Sequence, residues 1–244
     1  MRGAEPIFLP GAGDAAEIAV AGEAALCDRR GALFFPDLGL LCVSDLHLEK
    51  GSSFARRGML VPPYDTAATL LRLQAVIDHY RPRIVVSLGD SFHDDEGSSR
   101  LPSRMRLDLS ALMAGRDWFW VSGNHDPSPP KHLGGRSAVE IALGPLAFRH
   151  DAHGDARGGG EVIGHYHPVA SISTRGRSFR RRCFAIGRDR LLMPAFGAYA
   201  GGLNVREMAI RKLLDAQARV ALLGRDRLHL FPLAAALPDP ALPT

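Results

Sequence analysis

Hydrophobic positions along the chain fall into two regimes. From Ile18 to Val43, short apolar runs alternate with turn chemistry at Asp28 to Gly31 and Pro36 to Gly39, a pattern that predicts hairpin strands. Four compact apolar runs, Leu40 to Val43, Ile84 to Leu88, Trp118 to Val121 and Glu161 to Ile163, read as buried strands. Between the first two, Leu70, Leu73, Ile77 and Tyr80 stand at helical spacing. Pro62, Pro63 and the capping candidate Asp65 mark the start of this helix, and Arg81-Pro82 its end. Strand, helix and strand in succession form an α/β unit. A second helix is predicted over Ser103 to Met113, while residues 49 to 63 read as a polar, basic connection.

After a loop from Pro127 to Gly135 the pattern turns to β. Strands are expected over Ala138 to Leu143, Leu146 to His150, Val169 to Thr174, Arg180 to Ile186, Arg219 to Leu223 and Leu228 to Phe231. Gly158-Gly159-Gly160 and the segment from Pro238 onward have loop composition. No repeat or linker interrupts the 244 residues, so one domain over residues 1–244 is expected, with its core at about 20–232 and a tail from about 238.

Composition narrows the class. Hydrophobic residues make up 46% of the chain, enough for a sizeable core. The formal charge of +4 is small and spread along the whole sequence, so it speaks only weakly for a polyanionic partner. Cys27, Cys42 and Cys183 are far apart and in no metal-ligand spacing, which suits reduced thiols rather than a disulfide framework. No apolar run approaches the roughly 18 residues that a membrane span needs, and the N-terminus lacks a signal-peptide pattern. A soluble cytoplasmic protein with no membrane partner is expected.

The chemistry lies at the ends of the buried strands. Asp45-Leu46-His47, Gly89-Asp90, Gly123-Asn124-His125-Asp126 and Gly164-His165-Tyr166-His167 each follow one of the four apolar runs. Loops just past strand ends can bring such side chains to one edge of a sheet. Carboxylate and amide oxygens suit hard divalent cations, and imidazole adds the transition metals Mn²⁺, Fe²⁺ and Zn²⁺. Asp45, His47, Asp90, Asn124, His150, His165 and His167 make seven potential ligands, too many for one ion. With Asp90 as a bridge, two ions receive four side chains each. Such a pair can activate a hydroxide and clamp a phosphoryl oxygen for in-line attack. His125, next to Asn124, is placed to protonate a departing alkoxide as a general acid.

In this order the motifs resemble those of the calcineurin-like metallophosphoesterases. Further stretches are similar to the bacterial ligase-associated DNA damage response endonucleases within that family: Ser44-Asp45-Leu46-His47-Leu48-Glu49-Lys50-Gly51, Phe54-Ala55-Arg56-Arg57-Gly58, Pro62-Pro63-Tyr64-Asp65-Thr66, Gly89-Asp90-Ser91-Phe92-His93-Asp94 and Pro194-Ala195-Phe196-Gly197. The resemblance covers about residues 20 to 232. It implies an α/β sandwich of two mixed β-sheets flanked by α-helices. It also implies Asp45, His47, Asp90 and His167 on one ion, Asp90, Asn124, His150 and His165 on the other, and His125 facing the leaving group. Two divalent metal ions are implied, Mn²⁺ first and Fe, Zn or Mg as alternatives. The implied activity is a phosphodiesterase acting as a DNA endonuclease in repair, favouring single strands, in association with a ligase and a helicase. Hydrolysis of small phosphodiesters such as cyclic nucleotides, or a non-catalytic scaffold with the same fold, are the alternatives.

Several residues carry two readings. His150 ends an apolar strand, as a ligand should, and is preferred over His153 in His-Asp-Ala-His. His93 and Asp94 read as substrate-contacting or ligand-orienting groups, or as plain loop. Arg56 and Arg57 read as substrate-binding groups that reach a phosphate, or as a solvated basic face. Arg175, Arg177 and Arg180 to Arg182 read as a nucleic-acid track or as the outer face of a hairpin. Trp118, Trp120 and Tyr166 are read as packing residues rather than base-stacking platforms. His79, His132 and His229, with no motif around them, are read as surface or capping residues.

Overall fold

The computed structural model describes residues 14–128, 130–153, 159–174 and 176–240; Gly158, Arg175 and the last four residues of the tail lie outside them. Four antiparallel strands come first: β1 (Ala15–Val20), β2 (Glu23–Asp28), β3 (Leu33–Phe35) and β4 (Leu40–Val43). Helices α1 (Lys50–Arg56) and α2 (Asp65–Tyr80) lead to β5 (Ile84–Leu88). A short α3 (Gly97–Arg100) and α4 (Ser103–Met113) then lead to β6 (Asp117–Val121) and β7 (Arg136–Ala138). From β4 to β7 neighbouring strands are parallel, and the sheet order is β1-β2-β3-β4-β5-β6-β7.

The second sheet is built from β8 (Glu140–Leu143), β9 (Leu146–Arg149), β10 (Gly160–Ile163), β11 (Pro168–Thr174), β12 (Arg177–Ile186), β13 (Arg190–Leu192) and β14 (Leu203–Asn204). After α5 (Met208–Arg211), β15 (Arg219–Leu223) pairs with β12 and with β16 (Leu228–Pro232). The main order is β14-β11-β12-β13-β10-β9-β8, with β9 and β10 parallel. Two mixed sheets flanked by a few helices are the sandwich expected from the motifs.

Why the buried strands were so apolar is now evident. Leu40, Cys42, Val86 and Leu88 face the core between the sheets, where they meet Phe148, Val162 and Phe184. Leu41, Val43 and Val85 face the other way, onto Leu70, Leu73, Ile77 and Leu109 of α2 and α4. A strand covered on both faces loses its polar alternation. Trp118 and Trp120 pack under these helices, and Trp120 Nε1 donates to the Gly134 carbonyl at 2.9 Å. The three cysteines are free and buried. Among the described residues no helix is long and apolar enough to cross a membrane.

Two local expectations need correction. The polar connection at 49–63 contains α1, whose start depends on contacts from a distant segment. Asp65 does not cap its own helix; its carboxylate accepts the Gly51 N–H of α1 at 2.9 Å. Glu49, in left-handed backbone, is buried and receives the Thr66 hydroxyl at 3.0 Å. The run Ala138 to Leu143 is two strands in two sheets. β7 continues the first sheet beside β6, β8 opens the second beside β9, and Val139 between them is 79% exposed.

Two arginines of β12 serve the fold. Arg182 turns inward and donates to the carbonyls of Ala195 and Gly197 at 2.8 and 2.9 Å. Arg180 binds Asp239 and the Gly202 carbonyl. Arg177 and Arg181 remain on the exposed face.

Phe35 and Phe148 meet edge to face across the sheets, with centroids 5.7 Å apart. Phe148→Ala, two residues before His150, should cost about 3–5 kcal/mol of stability by chemical denaturation, the range for emptying a packed aromatic site.

Candidate metal centre

Parallel strands point their C-terminal ends the same way, and that is where the polar side chains collect. Asp45 and His47 follow β4, Asp90 follows β5, Asn124 follows β6, His150 follows β9, and His165 and His167 follow β10. The chain turns sharply at each exit. Asp45, His47, Asp90, His165 and His167 all have positive φ, between 43° and 66°. Backbone bonds tie the exits together: Asp45 N–H to Gly89 O at 3.2 Å, His47 N–H to Asp90 O at 2.9 Å, and Gly164 N–H to His150 O at 3.0 Å. Gly89 has φ +76°, and a Cβ there would run into the His150 ring; one at Gly123 would run into the Asp90 carboxylate and backbone nitrogen. Only glycine lets these loops approach so closely.

All seven expected ligands come together. Asp45, His47 and His167 each offer an atom within 4.8 Å of the others, and so do Asp45, Asp90 and His150. His167 Nε2 is 3.0 Å from Asp45 Oδ1 and 3.3 Å from His47 Nε2. Asp90 Oδ2 stands between the groups, 4.0 Å from His47 Nε2 and 3.4 Å from His150 Nε2. Asn124 Oδ1 lies 3.0 Å from His150 Nε2 and 2.8 Å from His165 Nδ1. Asp45 also reaches toward His150, but at 4.0 Å and on the Nδ1 side, which already donates to the Leu88 carbonyl at 3.0 Å. His153, three residues on, is exposed.

The donor chemistry fits divalent cations. Oxygen and imidazole donors converge without any thiolate. The two facing Nε2 lone pairs of His47 and His167 have nothing but a proton or a cation to share. His47 Nδ1 is buried with no hydrogen-bond partner among the described residues.

Burial and neighbours set the charges. Burial pushes the His47 pKa down to about 3, against the pull of Asp45, so its ring is neutral. His150 runs the other way: burial opposes its charge, but the hydrogen bond to Asp90 and the nearby Asp45 raise it to about 9. Burial likewise opposes ionisation of Asp90, and His150 together with the His125 N–H outweighs it, leaving Asp90 at about 2. Asp45 is lowered in the same manner, burial being overcome by His167 and then His150.

The residues expected around the metals take distinct positions. His125 is exposed; its N–H binds Asp90 Oδ1 at 2.9 Å and its Nδ1 donates to the His93 carbonyl at 3.0 Å. The His93 ring stacks on His125 with centroids 5.2 Å apart and meets Phe54 of α1 edge on. Arg56 is exposed and paired with Glu96, and Arg57 is exposed at the end of α1. Neither arginine is paired with a side chain of the cluster among the described residues. Asp94 is held by both nitrogens of a fork from Arg100 at 2.8 Å.

Two supporting groups were not anticipated. Ser44 Oγ donates to Asp45 Oδ2 and contacts the Leu88 carbonyl. Asp126, buried, accepts the Phe92 N–H at 3.0 Å; burial and then Asp90 raise its pKa to about 7, against the opposing pull of that N–H. Both stand inside the motifs, Ser44 before Asp45 and Asp126 after His125, where spacing alone assigns them no role.

A raised histidine pKa stabilises the fold below the unfolded value near 6.5 and loses that stabilisation as pH rises through the folded value. His150 therefore acts between about pH 6.5 and 9. His47 and His93, lowered to about 3 and 4, act in the opposite sense but only below 6.5, and Asp126 completes its change near 7. Metal-stripped protein should lose thermal stability from about pH 7 to 9, while its affinity for Mn²⁺ should rise over the same window because the His150 proton must leave. Melting curves and calorimetric titrations at stepped pH check both. Gly123→Ala should abolish Mn²⁺ uptake in the same titration.

The family model for calcineurin-like phosphoesterases matches residues 38–179, more than half of the chain. Among solved structures, the chain is similar to Pseudomonas putida nuclease MPE at 25% identity and a TM-score of 0.69, covering 89% of this chain and 100% of that one. It is also similar to Yfce, a phosphoesterase from E. coli, at 12% identity and a TM-score of 0.41, covering 80% and 98%. No curated protein matches. The chain belongs to the calcineurin-like phosphoesterases and is a metal-dependent phosphoester hydrolase.

Proposed function

We propose that this protein is a phosphodiesterase that cuts DNA, with two Mn²⁺ ions as cofactors, working in cytoplasmic DNA repair beside a ligase and a helicase. The observation that carries the reading is the convergence of Asp45, His47, Asp90, Asn124, His150, His165 and His167 at the shared edge of two sheets. The 25% likeness to a nuclease over nearly the whole chain supports DNA as the substrate.

Asp45, His47, Asp90 and His167 would hold one cation, and Asp90, Asn124, His150 and His165 the other. The position of Asp90 Oδ2, facing both His47 and His150, supports it as the bridge. When bound, the cations supply Lewis acidity toward phosphate and lower the pKa of water. Mixed oxygen and imidazole donors favour Mn²⁺ over Mg²⁺.

The chain's own groups then orient and transfer protons. The His93 carbonyl accepts from His125 Nδ1 and fixes the ring, which leaves Nε2 as the atom that hands a proton to the departing alkoxide. His93 backs that ring by stacking. Arg57, exposed at the end of α1, is the arginine available to a flanking phosphate; Arg56 must first leave Glu96.

With Mn²⁺ the protein should hydrolyse bis-p-nitrophenyl phosphate and cut DNA, and Asp90→Asn should abolish both. Full activity in a folded Asp90→Asn protein removes the bridging role. Turnover of cyclic nucleotides with DNA left intact removes the nuclease reading. His125→Ala should slow alkyl diesters by roughly 100-fold to 10,000-fold and nitrophenyl esters far less, since nitrophenolate leaves without a proton; equal losses would mean that His125 only positions.

A further inference from the structure

Large apolar side chains are exposed on two segments that the backbone around the candidate metal centre holds in place. The connection from α1 to α2 carries Met59, Leu60 and Tyr64 at 49%, 88% and 69% exposure. Tyr199, at 37%, lies on the segment after β13. That segment is pinned at one end by Gly197 N–H to Asp45 O at 3.1 Å and at the other by Leu203 N–H to His167 O at 3.1 Å. Tyr199 is thus tethered between two donors of the candidate metal centre, two residues and at most roughly 7 Å of chain from the first anchor. The two segments are joined: Tyr199 Oη donates to the Pro62 carbonyl at 3.0 Å, and Ala198 N–H binds Thr69 Oγ1 of α2 at 3.1 Å.

The position has a direction. The α1–α2 connection is anchored through Asp65 and Thr66 to Gly51 and Glu49, just past His47. Phe54 of the same α1 packs on His93, which stacks on His125. The helix that leads into the connection thus reaches the His93–His125 pair, and Arg57 at its end stands two residues before Met59. Large exposed apolar side chains gathered on two joined segments mark a contact site. Basic charge next to ring faces is the chemistry that holds single-stranded nucleic acid: phosphates meet the arginine and unpaired bases stack on the aromatics. In a duplex those base faces are already covered.

We propose that Tyr64 and Tyr199, with the Met59–Leu60 tip, form a stacking rim for the unpaired bases next to the scissile phosphate, making the enzyme selective for single strands. This rests on the nuclease reading above. With its hydroxyl engaged by Pro62, Tyr199 presents a fixed ring face, which lowers the ordering cost of binding.

The test compares KM values for a single-stranded oligonucleotide, the same strand with abasic residues flanking the cut, and bis-p-nitrophenyl phosphate, all with Mn²⁺. In a Tyr64→Ala/Tyr199→Ala protein the oligonucleotide KM should rise by roughly 5-fold to 150-fold relative to that of the small diester, the range for loss of one stacked base. A Tyr64→Phe protein, which keeps both rings and the Tyr199 bond to Pro62, should keep the wild-type ratio. Abasic residues should raise the wild-type KM but leave that of the double alanine protein unchanged. An unaltered ratio in the alanine protein, or equal sensitivity of both proteins to base removal, overturns the rim. Because Tyr64 is so exposed, Tyr64→Ala alone gives the same readout if Tyr199→Ala lowers stability. If wild-type protein hydrolyses the chromogenic diester but no oligonucleotide, the nuclease reading fails and the rim with it; cleavage without a tyrosine effect removes the rim alone.

Discussion

The site depends on one backbone constraint: the chain must leave the extended conformation within four residues of the ends of β4, β5 and β10. Asp45, His47, Asp90, His165 and His167 all do so through left-handed backbone. For residues with a Cβ this costs on the order of 1–2 kcal/mol each, a sum comparable to the net stability of many domains. It is offset by the buried core between the sheets and by backbone bonds that run from one exit to the next, such as His47 N–H to Asp90 O. The return is rigidity, because donors held this way need little reorganisation when a charged ligand arrives.

Within that frame the two halves of the pocket differ in access. Asp45, His47, Asp90 and His150 are buried, whereas Asn124 and His125 are exposed and His165 is partly so. A substrate approaching from solvent meets the Asn124 side first. The deep side carries the groups whose pKa values are most displaced, as expected where low dielectric meets close charge. Asn124, His125 and His165 thus share the more accessible face of the site.

Much of this was legible from residue order because the relevant forces are local. Strands covered on both faces write continuous apolar runs, and Leu70, Leu73 and Ile77 write a helix, so β4, β5, β6 and α2 stand where the pattern put them. The donors were legible because Asp or His beside Gly, just after such a run, has few other uses. What stayed hidden was set by distant partners. α1 owes its start to Asp65 and Thr66 rather than to its own sequence. Val139 looks like mid-strand until the chain is seen to cross between sheets. Arg182 reads like its solvated neighbours, yet it turns inward to the carbonyls after β13. Tyr64 and Tyr199 are of residue types that usually pack, and only the fold places them outside, while Trp118 and Trp120 went to the interior as their surroundings suggested.

The split origin of the pocket has a mechanical corollary. Asp45, His47, Asp90 and Asn124 ride on the first sheet, while His150, His165 and His167 ride on the second. Neither layer holds the full constellation, so a nascent chain acquires it only when the layers have closed on Phe35 and Phe148. Slippage of one layer over the other by an ångström or two would pull Asn124 away from His165 before it exposed much apolar surface. Loss of coordination geometry would then be the earliest sign of a loosening interior, ahead of any change in secondary structure.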